Sequence, residues 1–459
     1  MKVLKFGGTS VGTAESLRNV EKIILGNTEP IVVVVSALGG LTDKLLATAA
    51  KAASGDESYK ADVESIRQRH YDIVEAVVKD PERKRDCLEK ITPLLDELER
   101  TYMGVNLLQY LNTPISDKIV SFGERISSII VAAMIPTSTH LDSLEIFKTE
   151  NRFGKNIVVN ALTLANIREA AHPEAGKPII AGGFISKDLN SAAITNLGRG
   201  GSDFTAALFA AALDADVLEI WTDVDGFLTS DPRIIPEARL IPEMSFVESL
   251  ELCTFGAKVV YPPTIYPVFQ KNIPIKILNT HNPEAPGTMI KDFDNKLLKN
   301  CSHVRGLSAL KDVHLIQIKT GDEAVNNTVS SRIFNALALN GINVFLTVKL
   351  DEHDGFTIAL RKDECEAALA LIRKEFAPEI SAGKISAVDC IEGLTMIALV
   401  GENILGHGEI SHRIIHTLQR EEIPTLAVSE GASRTTVTIT VPEAHTNRSL
   451  QLIHSLFYS

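Results

Sequence analysis

Aromatic residues are scarce: they make up 5% of the 459 positions, with a single tryptophan, Trp221. A core built instead from Ala, Val, Ile and Leu suits helices packed on a mainly parallel sheet better than an aromatic-rich sandwich. Cysteine is scarce too. Its five copies, Cys87, Cys253, Cys301, Cys365 and Cys390, are scattered without a Cys-x-x-Cys pair. Neither a disulfide framework nor a zinc knuckle is expected, and no metal site is assigned. Long apolar runs are missing: the stretch 126–135 is too short for a bilayer, and no basic head followed by an apolar segment opens the chain. Together these absences predict a reducing, cytoplasmic setting and no membrane. Blocks of like charge are also absent. The net charge is −12, and acids interrupt the densest basic cluster, Arg83-Lys84-Arg85, on both sides, so nucleic acid is not an expected partner. Neither Gly-x4-Gly-Lys-Ser/Thr nor Gly-x-Gly-x-x-Gly occurs, which excludes a Walker loop and a dinucleotide fingerprint.

A chain of 459 residues exceeds what one growing core accommodates, so two or three domains are expected. The first βαβ unit reads as a strand at 3–6, a Gly7-Gly8-Thr9-Ser10 turn, a helix at 14–25 and a β-branched strand at 30–36. Further strands are expected at 177–184 and 216–222, with helices at 116–135 and 203–213. This alternation predicts an α/β sheet covered by helices. After Pro283-Glu284-Ala285-Pro286-Gly287 the pattern changes, and 291–305 reads as a linker. Two segments then repeat the same order of elements. The first has strands at 314–320, 343–350 and 355–360 with helices at 329–340 and 362–376. The second has strands at 395–400, 424–429 and 435–441 with helices at 408–420 and 445–457. A βαββα repeat of this kind predicts a tandem of ferredoxin-like modules.

Three segments could carry chemistry. Lys5-Phe6-Gly7-Gly8-Thr9-Ser10 is either a structural turn with a surface lysine or a phosphate cradle, because glycines admit an anion to the backbone N–H groups and the lysine supplies charge. Gly198-Arg199-Gly200-Gly201-Ser202-Asp203 runs straight into a helix. The free N–H groups and positive dipole end there, with a guanidinium beside them, favour an anion site over a capped turn. Trp221-Thr222-Asp223-Val224-Asp225-Gly226 is a strand end opening into a polar loop, readable either as an acidic turn or as a ligand-binding strand end. His412 and His416, at i and i+4, read as an exposed polar helix face.

Taken in order, the motifs resemble the aspartate kinase family over nearly the whole chain. They are Lys5 to Val11, Ser36-Ala37 with Thr42, Ser121-Phe122-Gly123-Glu124, Asn151-Arg152-Phe153-Gly154 and Leu197 to Asp203. Trp221 to Val224, Asp231-Pro232-Arg233 and Phe255-Gly256-Ala257-Lys258 follow. The resemblance implies an α/β amino-acid-kinase domain over 1–290, then two ACT modules at 305–380 and 392–459. It implies phosphorylation of the L-aspartate β-carboxylate by ATP with Mg²⁺. Lys5, Arg199 and Asp203 would be catalytic. Thr42, Glu124, Arg199 and Ser202 would bind aspartate, with Arg199 on its α-carboxylate and Glu124 on its ammonium or on Lys5. Lys5, Gly7, Gly8, Ser10, Thr222, Asp223, Arg233 and Lys258 would hold the nucleotide. Lysine or threonine is implied as an effector near Asn326, Ser330 and Asn343, and a homodimer through the ACT modules is expected.

Three departures stand out: Leu228 where the family usually has tyrosine, Tyr261 where it usually has histidine, and Val348-Lys349-Leu350-Asp351-Glu352 where relatives carry serine and threonine. The alternatives are another acyl kinase of this fold and the kinase part of a bifunctional aspartate kinase–homoserine dehydrogenase.

Overall fold

A computed structural model describes residues 1–152, 155–292, 303–349, 355–402, 404, 409–430 and 435–458. The chain divides into two compact units. One comprises 1–227, 240–250 and 258–293, the other 228–239, 251–257 and 294–459.

The first unit is built on an eight-stranded sheet. Its order is Glu243–Met244, Thr288–Ile290, Ile275–Asn279, Val217–Thr222, Lys2–Phe6, Ile31–Val35, Ile179–Gly182 and Thr139–Leu141. Lys2–Phe6 lies at the centre, parallel to both neighbours, with Lys5 opposite Val34 on one side and Ile220 on the other. The central strands are buried on both faces, which is why Ile31–Val35 reads as an unbroken β-branched run. Sequence spacing predicts the helix Ala14–Leu25 to the residue. Thr13 caps it by accepting from the Ser16 N–H, and Leu17, Val20 and Ile24 turn into the core. The helix Thr113–Met134 starts on Asn112, whose side chain accepts from Ile115 N–H. Parallel strands direct their carboxyl ends to one edge, so the loops after Phe6, Val35, Gly182 and Thr222 open together there. A smaller four-stranded sheet, ordered Lys155–Val158, Lys148–Arg152, Ile185–Asp188 and Ile194–Asn196, leads into the glycine-rich loop. Phe153 and Gly154 lie outside the described residues.

The second unit carries a six-stranded sheet ordered Leu346–Lys349, Phe356–Arg361, His303–Thr320, Ile385–Glu402, Thr436–Pro442 and Ala427–Glu430. His303–Thr320 and Ile385–Glu402, 18 residues each, run antiparallel through its middle. The 313–320 end pairs with Phe356–Arg361, and 394–400 pairs with Thr436–Pro442. Helices Glu323–Leu339 and Lys362–Glu375 cover one end, and Ile410–Arg420 and Thr446–Tyr458 the other. Two βαββ sets thus share one sheet through two long strands. The strand expected at 314–320 begins at His303, so the linker expected over 291–305 ends in strand, and most of it lies outside the described residues. Residues 228–239 belong to this unit as well. Thr229 accepts from Leu307 N–H through its carbonyl, its hydroxyl meets His454 Nε2 at 3.1 Å, and Ile235 is buried with Ile397 and Ile453.

Candidate active site

At the carboxyl edge of the large sheet lies a cavity of about 240 Å³ lined by Lys5, Ser36, Thr42, Glu124, Phe184 and the loop 198–203. Lys5 ends the central strand, so its backbone is fixed by two ladders while its side chain reaches into this space. Its ammonium lies 2.5 Å from Asp203 Oδ1, both side chains being nearly buried. Asp203 occupies the first turn of helix Gly201–Ala212, where its negative charge also meets the positive end of the helix. Arg199 is exposed at the rim and has no hydrogen-bond or ion-pair partner among the described residues.

Glu124 stands on the buried face of helix Thr113–Met134 and is 4% exposed. The Ala37 N–H donates to its carboxyl, and Oε2 has no partner. Burial pushes its pKa up to about 8. An unpartnered buried carboxyl oxygen costs free energy unless a cation or donor arrives, so the cavity is built to receive a positive group at this end. The free guanidinium of Arg199 and the N–H groups of the glycine loop are built to receive an anion. Lys5, Thr42, Glu124, Arg199, Ser202 and Asp203 are thus brought together around one cavity.

The other expected residues fall elsewhere. Gly7 lies directly beneath the Lys5 ammonium, and Gly8 starts the short helix Gly8–Val11. Ser10 is fully buried below them, its hydroxyl 2.7 Å from Thr280 Oγ1 and 3.3 Å from the Trp221 carbonyl, so it braces two strand ends. Thr222 donates to Asp223 at the end of its strand, and Asp223 and Lys258 are exposed. Arg233 pairs with Asp231 at 2.7 Å on the segment that folds with the second unit. Asn326 and Ser330 fall one turn apart on helix Glu323–Leu339, and Asn343 is exposed beyond its end. Residues 350–352 of the unusual 348–352 segment lie outside the described set.

Sequence reading missed the parts that hold the loops still. Asp117 accepts from the side-chain amides of Asn156 (3.2 Å) and Asn196 (2.6 Å), and Asn196 Oδ1 accepts from Gly198 N–H, which anchors the start of the glycine loop. Gly200 has φ +69°, and a Cβ there would sit 2.2 Å from Tyr261 Cβ and Cγ, so the Tyr261 side chain packs against the loop and only glycine fits. Arg69 donates to the carbonyls of Gly12 (3.1 Å) and Gly39 (2.8 Å), clamping together the turns after the first two strands. Phe184, on the cavity wall, is held at φ +67° by Thr205 Oγ1 on its N–H and Leu197 N–H on its carbonyl. No spacing rule marks Asp117, Asn196 or Arg69, because their partners are distant in sequence.

Comparison with known proteins fits this geometry. Residues 1–279 match the model of the amino acid kinase family, and residues 397–457 match an ACT domain. Aspartokinase 1, chloroplastic, of Arabidopsis thaliana is 30% identical over 99% of this chain and 80% of its own length. Plant bifunctional aspartokinase/homoserine dehydrogenases match too, and the chain spans about half their length. Among solved structures, E. coli aspartokinase III in complex with aspartate and ADP (R-state) superposes with a TM-score of 0.83 at 26% identity, covering all of both chains. The same enzyme in complex with lysine and aspartate (T-state) gives 0.74 at 27%, again over both whole chains.

Proposed function

This chain belongs to the aspartokinase family, and from that premise we propose that it transfers the γ-phosphoryl group of Mg²⁺-ATP to the β-carboxylate of L-aspartate. The observation that carries the reading is the pairing of Glu124 and Arg199 around one cavity with Lys5. A free α-amino acid offers an ammonium to the first and a carboxylate to the second, which leaves the side-chain carboxylate directed to the lysine. The aspartate and ADP bound to the E. coli relative support it.

The β-carboxylate is ionised at neutral pH and needs no general base. Catalysis then rests on positioning and on neutralising the transferring phosphate. Asp203 holds the Lys5 ammonium in place beside Gly7. Lys5, as a compact point charge, meets negative charge that grows in the transition state. Thr42 and Ser202 hold the amino acid. Gly7, Gly8, Ser10, Thr222, Asp223, Arg233 and Lys258 are proposed to serve the nucleotide side, Ser10 by bracing the turn rather than by touching phosphate, given its burial. Mg²⁺ would enter with the nucleotide, coordinated mainly by phosphate oxygens and water.

Residues 1–290 are proposed as the catalytic domain, and 305–380 and 392–459 as two ACT modules. Lysine, which the T-state relative holds, or threonine would bind at the first module near Asn326, Ser330 and Asn343. The outer strands of the shared sheet, Leu346–Lys349 and Ala427–Glu430, each have one sheet neighbour among the described residues, which favours pairing between chains and so a homodimer. The test is hydroxylamine trapping of the acyl phosphate. ATP-dependent hydroxamate should form with L-aspartate, and none with any amino acid would refute the reading.

A further inference from the structure

We propose that the second unit carries, where its first ACT module meets the long strand Ile385–Glu402, a Cys2His site for a divalent ion of thiolate preference, zinc foremost, formed by His314, Cys365 and Cys390. The three donors come from three elements: the long strand His303–Thr320, the first turn of helix Lys362–Glu375, and the long strand Ile385–Glu402. Pairing of Ile316 with Cys390 sets His314 diagonally across from Cys390, and the helix lays Cys365 over both. Cys365 Sγ lies 3.2 Å from Cys390 Sγ, which lies 3.9 Å from His314 Nδ1, and all three donor atoms fall within 4.8 Å of one another.

A tetrahedral zinc ion with bonds of about 2.3 Å to sulfur and about 2.0 Å to nitrogen needs donor separations of roughly 3.5–3.8 Å. The sulfur–sulfur separation of 3.2 Å and the sulfur–nitrogen separation of 3.9 Å each lie within about 0.6 Å of those values. His314 and Cys365 are buried and Cys390 half-buried, so two ligands are screened while one side stays open to an entering ion. The fourth position is left to water. Both cysteines bind as thiolates, their protons passing to solvent. The donor set of two sulfurs and an imidazole selects zinc over magnesium or calcium, which take oxygen. An ion there would pin the start of helix Lys362–Glu375 to the two strands that run through both modules.

The site is tested on the full chain, reduced and stripped of metal, by titration with Co²⁺. The expected result is a thiolate-to-metal charge-transfer band with tetrahedral ligand-field bands, saturating at one ion per chain and displaced by Zn²⁺. In competition with a chromophoric chelator, Cys390→Ser and His314→Gln should each weaken Zn²⁺ binding at least tenfold, the loss seen even for residues behind the ligands. Cys253→Ser, outside the cluster, should leave it unchanged, and circular dichroism confirms that each variant is folded. A cobalt spectrum without thiolate bands would overturn the proposal, as would Zn²⁺ binding indifferent to both variants. A Cys365–Cys390 disulfide with no metal uptake after its reduction would replace the metal site by a thiol pair.

Discussion

Replacing Glu124 with glutamine removes a carboxyl group that burial shifts from its ordinary value of 4.5 up to about 8. At pH 7 the free chain therefore holds this group about nine-tenths protonated. Pairing with a substrate ammonium requires the ionised form, so aspartate binding should expel about 0.9 proton at pH 7. The same linkage makes aspartate binding tighten about fiftyfold between pH 6 and pH 8. Calorimetry in buffers of different ionisation heat reads the proton count directly as the slope of observed enthalpy against buffer enthalpy. In Glu124→Gln that slope should vanish, and loss of a desolvated charge pair should cost about 2–5 kcal/mol, a weakening of roughly thirtyfold or more. Stability carries the opposite sign. Because the folded value lies above the unfolded one, the contribution is fully present below about pH 4.5 and is lost as pH rises through about 8, with an upper magnitude of about 5 kcal/mol. Urea unfolding of the ligand-free chain should show that decline, and the variant should lack it. Identical binding enthalpies in all buffers, or full aspartate affinity in Glu124→Gln, would refute the pairing.

Lys5→Ala should depress kcat far more than it raises KM, because its charge matters most as the phosphoryl group transfers; an unchanged kcat in steady-state assays would contradict its role. Arg199→Ala should mainly raise the KM for aspartate, by tenfold or more, and unchanged KM would place the carboxylate clamp elsewhere. Gly200→Ala meets both a left-handed backbone and the Tyr261 ring, so it should cut activity, with Tyr261→Ala restoring only part because the backbone cost of about 1 kcal/mol or more stays; full rescue in the double variant would refute the backbone part. Burial holds His70 down to about 4 from 6.5, so stability present above pH 6.5 should fall as pH drops toward 4, by about 3 kcal/mol; urea unfolding that shows the same decline in His70→Phe would exclude this source.

What the sequence made legible follows from how local the determinants are. Ile31–Val35 and Ala14–Leu25 are visible because a buried parallel strand and a one-faced helix each leave a short-range pattern. Of the cavity side chains, Lys5, Arg199, Ser202 and Asp203 were legible because glycines and charges cluster at a strand end and a helix start, whereas Thr42 and Glu124, both on helices, were reached only through the family resemblance. The long central strands of the second unit were not legible at full length. Register shifts between Leu310 and Val313 break the alternation midway through His303–Thr320, so only its 314–320 end reads as strand and its first three residues fall in the expected linker. Likewise, Cys365 and Cys390 lie 25 residues apart and His314 lies 76 from Cys390, and only the sheet brings them together. The Asp117–Asn196 pair and the Arg69 clamp are silent for the same reason.

Discrimination among acyl acceptors is the most direct measurement. Rates of ADP release with saturating Mg²⁺-ATP give kcat/KM for L-aspartate, L-glutamate and N-acetyl-L-glutamate. If Glu124 reads the ammonium and Arg199 the α-carboxylate, with Lys5 placed for a β-carboxylate, then L-aspartate is preferred. Glutamate falls behind because its carboxylate is displaced by one methylene, and the acetylated acid fails because it offers no ammonium to Glu124. Equal or better turnover of N-acetyl-L-glutamate would contradict the assignment of the cavity to a free amino acid, and with it the proposed activity.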